Sequence, residues 1–212
     1  MLFSILIAHY QNWIFFQDCY QSIVNQTYQN FEIIIVDDCS QDDSYEKLVE
    51  LSEKDARIKL HRNIENKGVG FTKNKCLQLA NGDVCGFLDP DDALLFSALQ
   101  DTLDIFKNNQ SIDVVYGMMV MCDNHLTQIE IFKRAKKILN HDPYFVNINT
   151  SVAHFFTFRK KALEKIGGID PSLKSAVDQD LYLKLYEIGE FKFLNKPLYL
   201  YRLHEKGVSQ ES

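Results

Sequence analysis

The first ninety or so residues alternate apolar runs with amphipathic stretches. Residues 2–8, 31–36 and 84–88 are largely apolar, as expected for strands that are buried on both faces of a parallel sheet. A shorter run at residues 58–61 predicts a further strand. Apolar residues at helical spacing lie between these runs. The pattern therefore predicts right-handed strand–helix–strand units that form a doubly wound α/β sheet.

The pattern is less regular after residue 93. Amphipathic spacing predicts a helix over residues 94–106. A basic run lies within residues 126–139, and we interpret it as the solvated face of a helix, with contact to an acceptor or a lipid phosphate as the alternative. The remaining expected elements are strands over residues 113–121, 152–158, 191–194 and 198–201, the last two separated by Pro197, helices over residues 160–166 and 179–187, and a polar tail over residues 202–212.

Three carboxylates, those of Asp89, Asp91 and Asp92, follow the apolar run at residues 84–88. Acids packed at a strand end repel one another unless a cation compensates them. Mg²⁺ or Mn²⁺ is a natural partner, because a hard divalent ion prefers carboxylate oxygens and accepts phosphate oxygens as further ligands. The alternative is an acidic turn in which Asp91 or Asp92 caps the following helix.

Polar residues follow the first two predicted strands as well. His9 comes after the first strand, and Asp37 and Asp38 come after the second. Ligands of doubly wound sheets bind at the carboxyl ends of the strands. These residues and the acidic cluster together predict one site for an anionic ligand, built around a metal ion.

Composition narrows the class of protein. The 212 residues suit one α/β domain, and the net charge of −6 argues against a nucleic-acid binder. The five cysteines are scattered without C-x-x-C spacing, so we expect reduced thiols in a cytoplasmic protein. No stretch is long enough to span a bilayer, and association with the inner face of the membrane stays open.

Four segments together resemble the family 2 glycosyltransferases, which use nucleotide sugars and have the GT-A fold. They match in the family's order and cover nearly the whole chain. The segments are SILIAHYQN at residues 4–12, the strand end containing VDDCS within residues 31–44, residues 66–92 with NKG, ANGD and LDPDD, and GGID with DQDLYLKL within residues 167–185.

The resemblance implies a GT-A type fold, with a Rossmann-like, doubly wound mixed sheet that is mostly parallel. The chain would be one domain with a smaller acceptor-side subregion. Residues 1–92 would form the nucleotide-sugar-binding half, and residues 93–212 would form the acceptor-binding half and the C-terminal tail. The implied reaction is inverting transfer of a sugar from a nucleoside-diphosphate sugar, most often UDP-linked, to a hydroxyl of a saccharide or saccharide-lipid. A role in cell-surface polysaccharide synthesis follows from the same resemblance.

The resemblance also implies residues that contact the donor. Asp38 would accept a hydrogen bond from the base; the alternative is that it caps a turn through Ser40. His9 and Tyr10 would flank the same crevice, where Tyr10 could stack on the base, although plain loop roles remain open.

Metal-binding and diphosphate-binding residues follow from the same comparison. Asp89, Asp91 and Asp92 would hold the metal and the ribose of the donor. Asp89 and Asp91 would contact the donor, and Asp91, the best single candidate, and Asp92 would hold the metal. Lys67 and Lys73 would meet the diphosphate, with ordinary surface exposure as the alternative for each.

Near the carboxyl terminus, YRLHEKGVS at residues 201–209 resembles the closing segment of the family. His204 would ligate the metal or touch the diphosphate, with support from Arg202. Asp178 would be the general base; the alternative is that it is simply the N-cap of the helix that follows, and it could do both. The family often has Glu-Asp here, and this chain has Val177 before Asp178. Asp180 is the alternative base.

Two other functions remain open from the sequence. A metal-dependent nucleotidyltransferase would also place acids at strand ends, but it normally has a glycine-rich and basic phosphate loop that residues 9–12 lack. A non-catalytic module that binds sugar nucleotides is the second alternative, and the missing acid at Val177 favours it.

Overall fold

The computed structural model describes residues 1–205, which form a curled sheet of nine strands with helices on both faces. The strands are β1 (Phe3–His9), β2 (Phe31–Asp37), β3 (Ile58–Arg62), β4 (Val84–Phe87), β5 (Ala93–Leu94), β6 (Ile112–Cys122), β7 (Gln128–Ile131), β8 (Phe156–Arg159) and β9 (Glu190–Arg202). The helices are α1 (Trp13–Val24), α2 (Ser44–Lys54), α3 (Val69–Leu79), α4 (Ala98–Asn108), α5 (Lys160–Ile166) and α6 (Val177–Ile188), with a 3₁₀ turn at Asn147–Asn149.

The sheet is mixed, in the order β3-β2-β1-β4-β8-β6-β9-β5, with β7 added beside β6. The first four strands pair in parallel, as the alternating pattern predicts. β8 then runs antiparallel to both β4 and β6, and β6 pairs in parallel with β9. Consequently β1 to β4, β6 and β9 all point the same way, and their carboxyl ends share one edge of the sheet.

The two faces of the sheet explain why the early strands are so apolar. On β1, Ile5 and Ile7 pack on one face against Phe16 of α1, and Leu6 packs on the other against Leu77 of α3. All five side chains are at most 3% exposed. A strand covered on both sides must be apolar at successive positions rather than at alternate ones.

The helix expected over residues 94–106 begins later, at Ala98. Ala93–Leu94 form the short strand β5 and pair with Leu200 and Tyr199 of β9. The prediction was wrong at this boundary because the pairing with a distant strand overrides the local amphipathic pattern.

The basic run within residues 126–139 is not on a helix. Gln128–Ile131 form the exposed strand β7, which pairs with β6, and the following residues are irregular. The expected strand over residues 152–158 is also shorter, since β8 covers only Phe156–Arg159. Both predictions missed because these segments are held by tertiary contacts and not by their own periodicity.

Pro197 does not divide the last two predicted strands. Glu190–Arg202 is one strand, and Pro197 lies opposite Met118 where the register with β6 shifts. A proline is tolerated at such an irregularity because no ladder hydrogen bond from its nitrogen is needed. Of the polar tail expected over residues 202–212, Arg202 is a buried end of β9, and residues 206–212 lie outside the described part.

None of the helices found within residues 1–205 combines the length and apolar character needed to cross a membrane.

Candidate active site

The acidic turn after β4 makes two different sets of contacts. Asp89 Oδ1 lies 3.1 Å from Lys73 Nζ, and Asp91 Oδ2 lies 2.8 Å from Nε2 of His204. The side chains of Asp89 and Asp91 are partly exposed, at 29% and 22%. These two carboxylates therefore face the edge of the sheet where a ligand can approach.

The third acid of the turn, Asp92, points into the protein. It is 2% exposed, and its carboxylate accepts hydrogen bonds from the Tyr199 hydroxyl at 2.8 Å and the Arg202 amide at 2.7 Å. Burial raises the pKa of Asp92 well above its usual range, and the nearby charges of Asp91 and Asp89 raise it further. This geometry supports a structural role, in which Asp92 ties the acidic turn to β9. Neither Asp91 nor Asp92 caps α4, whose N-cap is Ser97.

Lys73 is a buried cation on the inner face of α3. Its Nζ lies 2.8 Å from Asp178 Oδ1, in addition to its contact with Asp89, and 5.2 Å from the centre of the Phe87 ring. Burial alone would lower the pKa of Lys73, but Asp178 and Asp89 outweigh it and hold the pKa above its usual value. Ordinary surface exposure is therefore wrong for Lys73, which is 4% exposed.

Asp178 is the second residue of α6, and the N-cap of that helix is Ala176. The alternative in which Asp178 is the cap is therefore wrong. Burial would raise the pKa of Asp178, but the charges of Lys73 and His154 outweigh burial and hold the pKa below its usual range. The N-terminal end of α6 also favours a negative charge at this position. Asp180, in contrast, contacts Lys184 and the Asp170 amide.

His154 is a site residue that the sequence reasoning missed. Its Nε2 lies 3.9 Å from Asp178 Oδ2, and its ring stacks on Tyr199 with centroids 5.2 Å apart. Its Nδ1 is buried and has no hydrogen-bond partner among the described residues. His154 lies just before β8, the strand that runs antiparallel to its neighbours β4 and β6. Because β8 is antiparallel, its start lies at the edge where the parallel strands end, and the local sequence pattern does not reveal this direction.

Two groups of side chains have the chemistry to hold a divalent ion. Asp91 and His204 form the first group; Asp91 Oδ2 and His204 Nε2 are hydrogen-bonded at 2.8 Å, and together they offer one carboxylate oxygen and one imidazole nitrogen. Asp89, His154 and Asp178 form the second group, whose ligand atoms lie within 4.8 Å of one another. The Lys73 ammonium already neutralises two members of this second group. The Asp91–His204 pair therefore fits a metal better.

Arg202 holds this pair in place from behind. Its Nε donates to the Asp91 carbonyl at 2.6 Å, and its Nη2 donates to Asp18 at 2.8 Å. The Arg202 guanidinium and the His204 ring both pack on Phe15, at 4.6 Å and 4.5 Å between centres. This arrangement is consistent with the supporting role expected for Arg202.

Asp38 organises the loop before α3. Its Oδ1 accepts from the Asn63 amide at 2.7 Å and the Lys67 backbone N–H at 2.9 Å, and its Oδ2 accepts from the Gly68 N–H at 2.8 Å. Gly68 has a φ of 85°, a conformation that favours glycine. The alternative in which Asp38 caps a turn through Ser40 is wrong, because the Ser40 amide donates to Asp37 instead.

The remaining donor candidates differ in exposure. His9 is fully buried at the end of β1, with Nδ1 3.3 Å from Asp37 Oδ1 and with Nε2 lacking a partner among the described residues. Tyr10 is 43% exposed. Lys67 forms an exposed ion pair with Glu65. His9 therefore supports the strand end from within, whereas Tyr10 and Lys67 remain accessible to a ligand.

The topology brings the main candidates to one edge. Asp38 follows β2, Asp91 follows β4 and His204 follows β9, three strands that point the same way. His154 precedes the antiparallel strand β8, and Asp178 begins α6, which returns to the start of β9. One sheet edge therefore carries the acidic turn, a buried lysine and a helix-start carboxylate.

Sequence comparison identifies the family. The model of the family described as Glycosyl transferase family 2 matches residues 4–167. The Escherichia coli protein named chondroitin synthase is 33% identical over 214 residues, which cover 98% of this chain and 30% of that protein. The chain therefore belongs to glycosyl transferase family 2.

Solved structures show the fold. The crystal structure of S. aureus TarS 1-349 in complex with UDP-GlcNAc matches with a TM-score of 0.82 and 23% identity, over 100% of this chain and 61% of that one. The mannosyltransferase PcManGT from Pyrobaculum calidifontis, in complex with GDP-Man and Mn²⁺, matches with a TM-score of 0.67 and 15% identity over 92% of this chain and 54% of that one. The predicted GT-A fold is thus confirmed.

The chain spans less than a third of the length of the curated relatives named chondroitin synthase and hyaluronan synthase.

Proposed function

We propose that this chain is an inverting glycosyltransferase that moves a sugar from a UDP-linked donor to a hydroxyl of a saccharide or saccharide-lipid. One observation carries the proposal. In the acidic turn, Asp89 contacts Lys73, which in turn contacts Asp178. Asp91 of the same turn contacts His204. A candidate base and a candidate metal pair therefore flank the same turn. Family membership and a neighbour solved with UDP-GlcNAc support the reaction class and the donor.

On the donor side, Asp38 takes the ring N–H of the base. Within residues 1–205 its Oδ2 accepts one hydrogen bond, from the Gly68 N–H, and a carboxylate oxygen has a second lone pair that can accept another. The exposed Tyr10 provides a surface for the base. Lys67 needs only to leave its exposed partner to reach the diphosphate, and such surface ion pairs are weak.

Asp91 and His204 would hold the divalent cation, Mn²⁺ or Mg²⁺. When bound, the ion neutralises the leaving diphosphate as a Lewis acid. Asp92 does not reach it, and instead fixes the direction of the turn through Tyr199 and Arg202. Asp89 contacts the donor and keeps Lys73 beside it.

On the acceptor side, Asp178 takes the proton of the attacking hydroxyl. The acceptor oxygen forms a bond to the anomeric carbon while the bond from that carbon to the diphosphate oxygen breaks, so one displacement inverts the configuration. The low pKa of Asp178 keeps it ionised before the reaction. The ion pair between Lys73 and Asp178 must weaken before Asp178 can accept the proton. The diphosphate of the donor would provide Lys73 with another anionic partner.

A donor panel tests the reaction class. With Mn²⁺ present, we expect free UDP to be released from a UDP-sugar when a saccharide acceptor is added, and we expect release to stop in EDTA. Asp178→Asn should abolish release, whereas Asp104→Ala, a change at an exposed acid of α4, should not affect it. Pyrophosphate release from UTP would instead indicate a nucleotidyltransferase. UDP binding without turnover on any acceptor would indicate a non-catalytic module.

A further inference from the structure

The segment at residues 133–148 has an outer surface that differs from the rest of this acidic chain. It contains four cations and a single carboxylate, whereas the chain as a whole has a net charge of −6. Lys133, Arg134, Lys136 and Lys137 are all exposed, and none makes an ion pair within residues 1–205. Four neighbouring cations without counter-charges form a local positive patch.

The second half of the same segment exposes apolar side chains. The exposed fractions are 74% for Leu139, 88% for Tyr144, 59% for Val146 and 82% for Ile148. Scattered single exposed apolar residues are ordinary, but four within ten residues are a local concentration of the kind found where a protein meets a partner.

The segment is anchored, so this exposure is not the result of a loose loop. Its inward residues join the core: Ala135 is 7% exposed, and Ile138 and Phe145 pack against the hydrophobic cluster that includes Tyr116 and Tyr186. The Tyr116 hydroxyl donates to the Lys136 carbonyl at 2.8 Å and accepts from the Ile138 amide. The Asp142 amide donates to the Tyr186 hydroxyl at 2.9 Å. The outer residues are therefore presented on a fixed backbone.

The far end of the segment lies beside the candidate base. The Asn147 side chain donates to the Val152 carbonyl at 2.9 Å and to Gln179 Oε1 at 3.1 Å. Gln179 follows Asp178 in the first turn of α6. A surface bound at the 133–148 segment would therefore lie next to the first turn of α6, which carries Asp178.

We propose that the 133–148 segment docks on an anionic lipid bilayer. The segment has cations followed by exposed aliphatic and tyrosine side chains. This combination suits a membrane interface, where lysine and arginine contact lipid phosphates and apolar groups enter the acyl boundary. The exposed apolar residues favour a bilayer over a soluble polyanion, which offers them nothing to enter. Docking would bring a saccharide-lipid acceptor to Asp178. This last step rests on the proposed function, but lipid binding itself does not.

Co-sedimentation with vesicles tests docking without any turnover. We expect the protein to bind phosphatidylcholine vesicles that contain phosphatidylglycerol, and to bind pure phosphatidylcholine much more weakly. Binding should weaken as NaCl rises from about 0.05 M to about 0.5 M. Changing Lys133, Arg134, Lys136 and Lys137 together to Gln should lower the partition at least ~100-fold.

A matched variant controls for net charge. Changing four other exposed lysines, Lys54, Lys161, Lys165 and Lys192, to Gln removes the same charge and should leave the partition unchanged. The pair Tyr144→Ser and Ile148→Ser should lower it roughly 10-fold. All of these positions are exposed, so circular dichroism and thermal melting should match the wild type; the apolar pair keeps the test valid if the quadruple variant does not fold.

Four outcomes would overturn the proposal. They are equal binding to neutral and anionic vesicles, an equal loss in the control quadruple variant, binding of a soluble acidic polysaccharide through these cations while vesicles do not bind, and an apolar pair variant that changes the oligomeric state instead of vesicle binding. Failure of sugar transfer alone would bear on the proposed function and not on docking.

Discussion

Lys73 Nζ lies 2.8 Å from Asp178 Oδ1, and this contact joins helix α3 to the first turn of α6. Lys73 is on α3, whose first turn Asp38 organises through Gly68. Asp178 is in the first turn of α6, a helix that packs in the same hydrophobic cluster as α3. Removing the charge of Lys73 should therefore change the pKa of Asp178, the proposed base.

Lys73→Met should move the acid limb of the pH–rate profile. Asp178 must be ionised to accept a proton, and in the wild type its pKa is below the usual value. Without the lysine, burial raises that pKa and only His154 remains to oppose it, so the rate should fall at a higher pH as the solution is acidified. At neutral pH we expect kcat to fall about 100-fold.

Lys73→Arg is the control, because it keeps the charge. It should leave the acid limb near its wild-type position even if the rate falls. Nucleotide release measured from about pH 4 to pH 8 would check both variants. An unshifted acid limb in Lys73→Met would show that Lys73 does not set the pKa of Asp178.

Asp91 and Asp92 should separate in a stability measurement. Asp92→Ala leaves the Tyr199 hydroxyl and the Arg202 amide without their buried partner, so we expect it to lose about 2–4 kcal/mol of unfolding free energy. Asp91→Ala changes a partly exposed residue and should lose about 1 kcal/mol or less. Urea unfolding without added metal would check this. Equal losses would contradict the structural assignment of Asp92.

Asp38→Ala should release the loop before α3. The Lys67 and Gly68 amides would lose their acceptor, so their hydrogen exchange should accelerate, and we expect UDP to bind about 10- to 100-fold more weakly. Hydrogen exchange with mass spectrometry and titration calorimetry measure the two effects. Asp43→Ala, at an exposed residue paired with Lys47, is the control. Unchanged UDP affinity with faster exchange would limit Asp38 to a structural role.

His154→Phe keeps a ring against Tyr199 and removes both ring nitrogens. If His154 positions and polarises Asp178, kcat should fall about 10-fold or more while KM for the donor stays close to wild type. A parallel rise in donor KM with constant kcat would place His154 in donor binding instead. Steady-state kinetics on the two variants at positions 154 and 178 would distinguish these outcomes.

The sequence contains enough information for the parallel half of the fold. The runs that became β1, β2 and β4 are apolar on both faces, and such strands have few other stable arrangements. The antiparallel insertion of β8 was not predictable, because no local pattern shows that Phe156–Arg159 enters between β4 and β6. His154 was missed for the same reason.

The acidic turn shows the corresponding limit within the site. Spacing alone could not tell which of Asp91 and Asp92 faces outward, since the doubled acid allows either. The direction is set by Tyr199 and Arg202, more than a hundred positions away in the chain. The sequence likewise does not decide whether Lys73 is an exposed surface residue or part of the site. Its contacts with Asp89 and Asp178, both distant in the chain, place it in the site.

The most direct test of the account measures donor binding and transfer on the same variants. Calorimetric titration of a UDP-sugar with Mn²⁺ should show loss of metal-dependent binding in Asp91→Ala and in His204→Ala. Asp178→Asn should bind the donor with near wild-type affinity and release no nucleotide when acceptor is added. Donor affinity that does not respond to EDTA, or normal turnover by Asp178→Asn, would contradict a site in which one edge of the sheet joins a metal pair to a base.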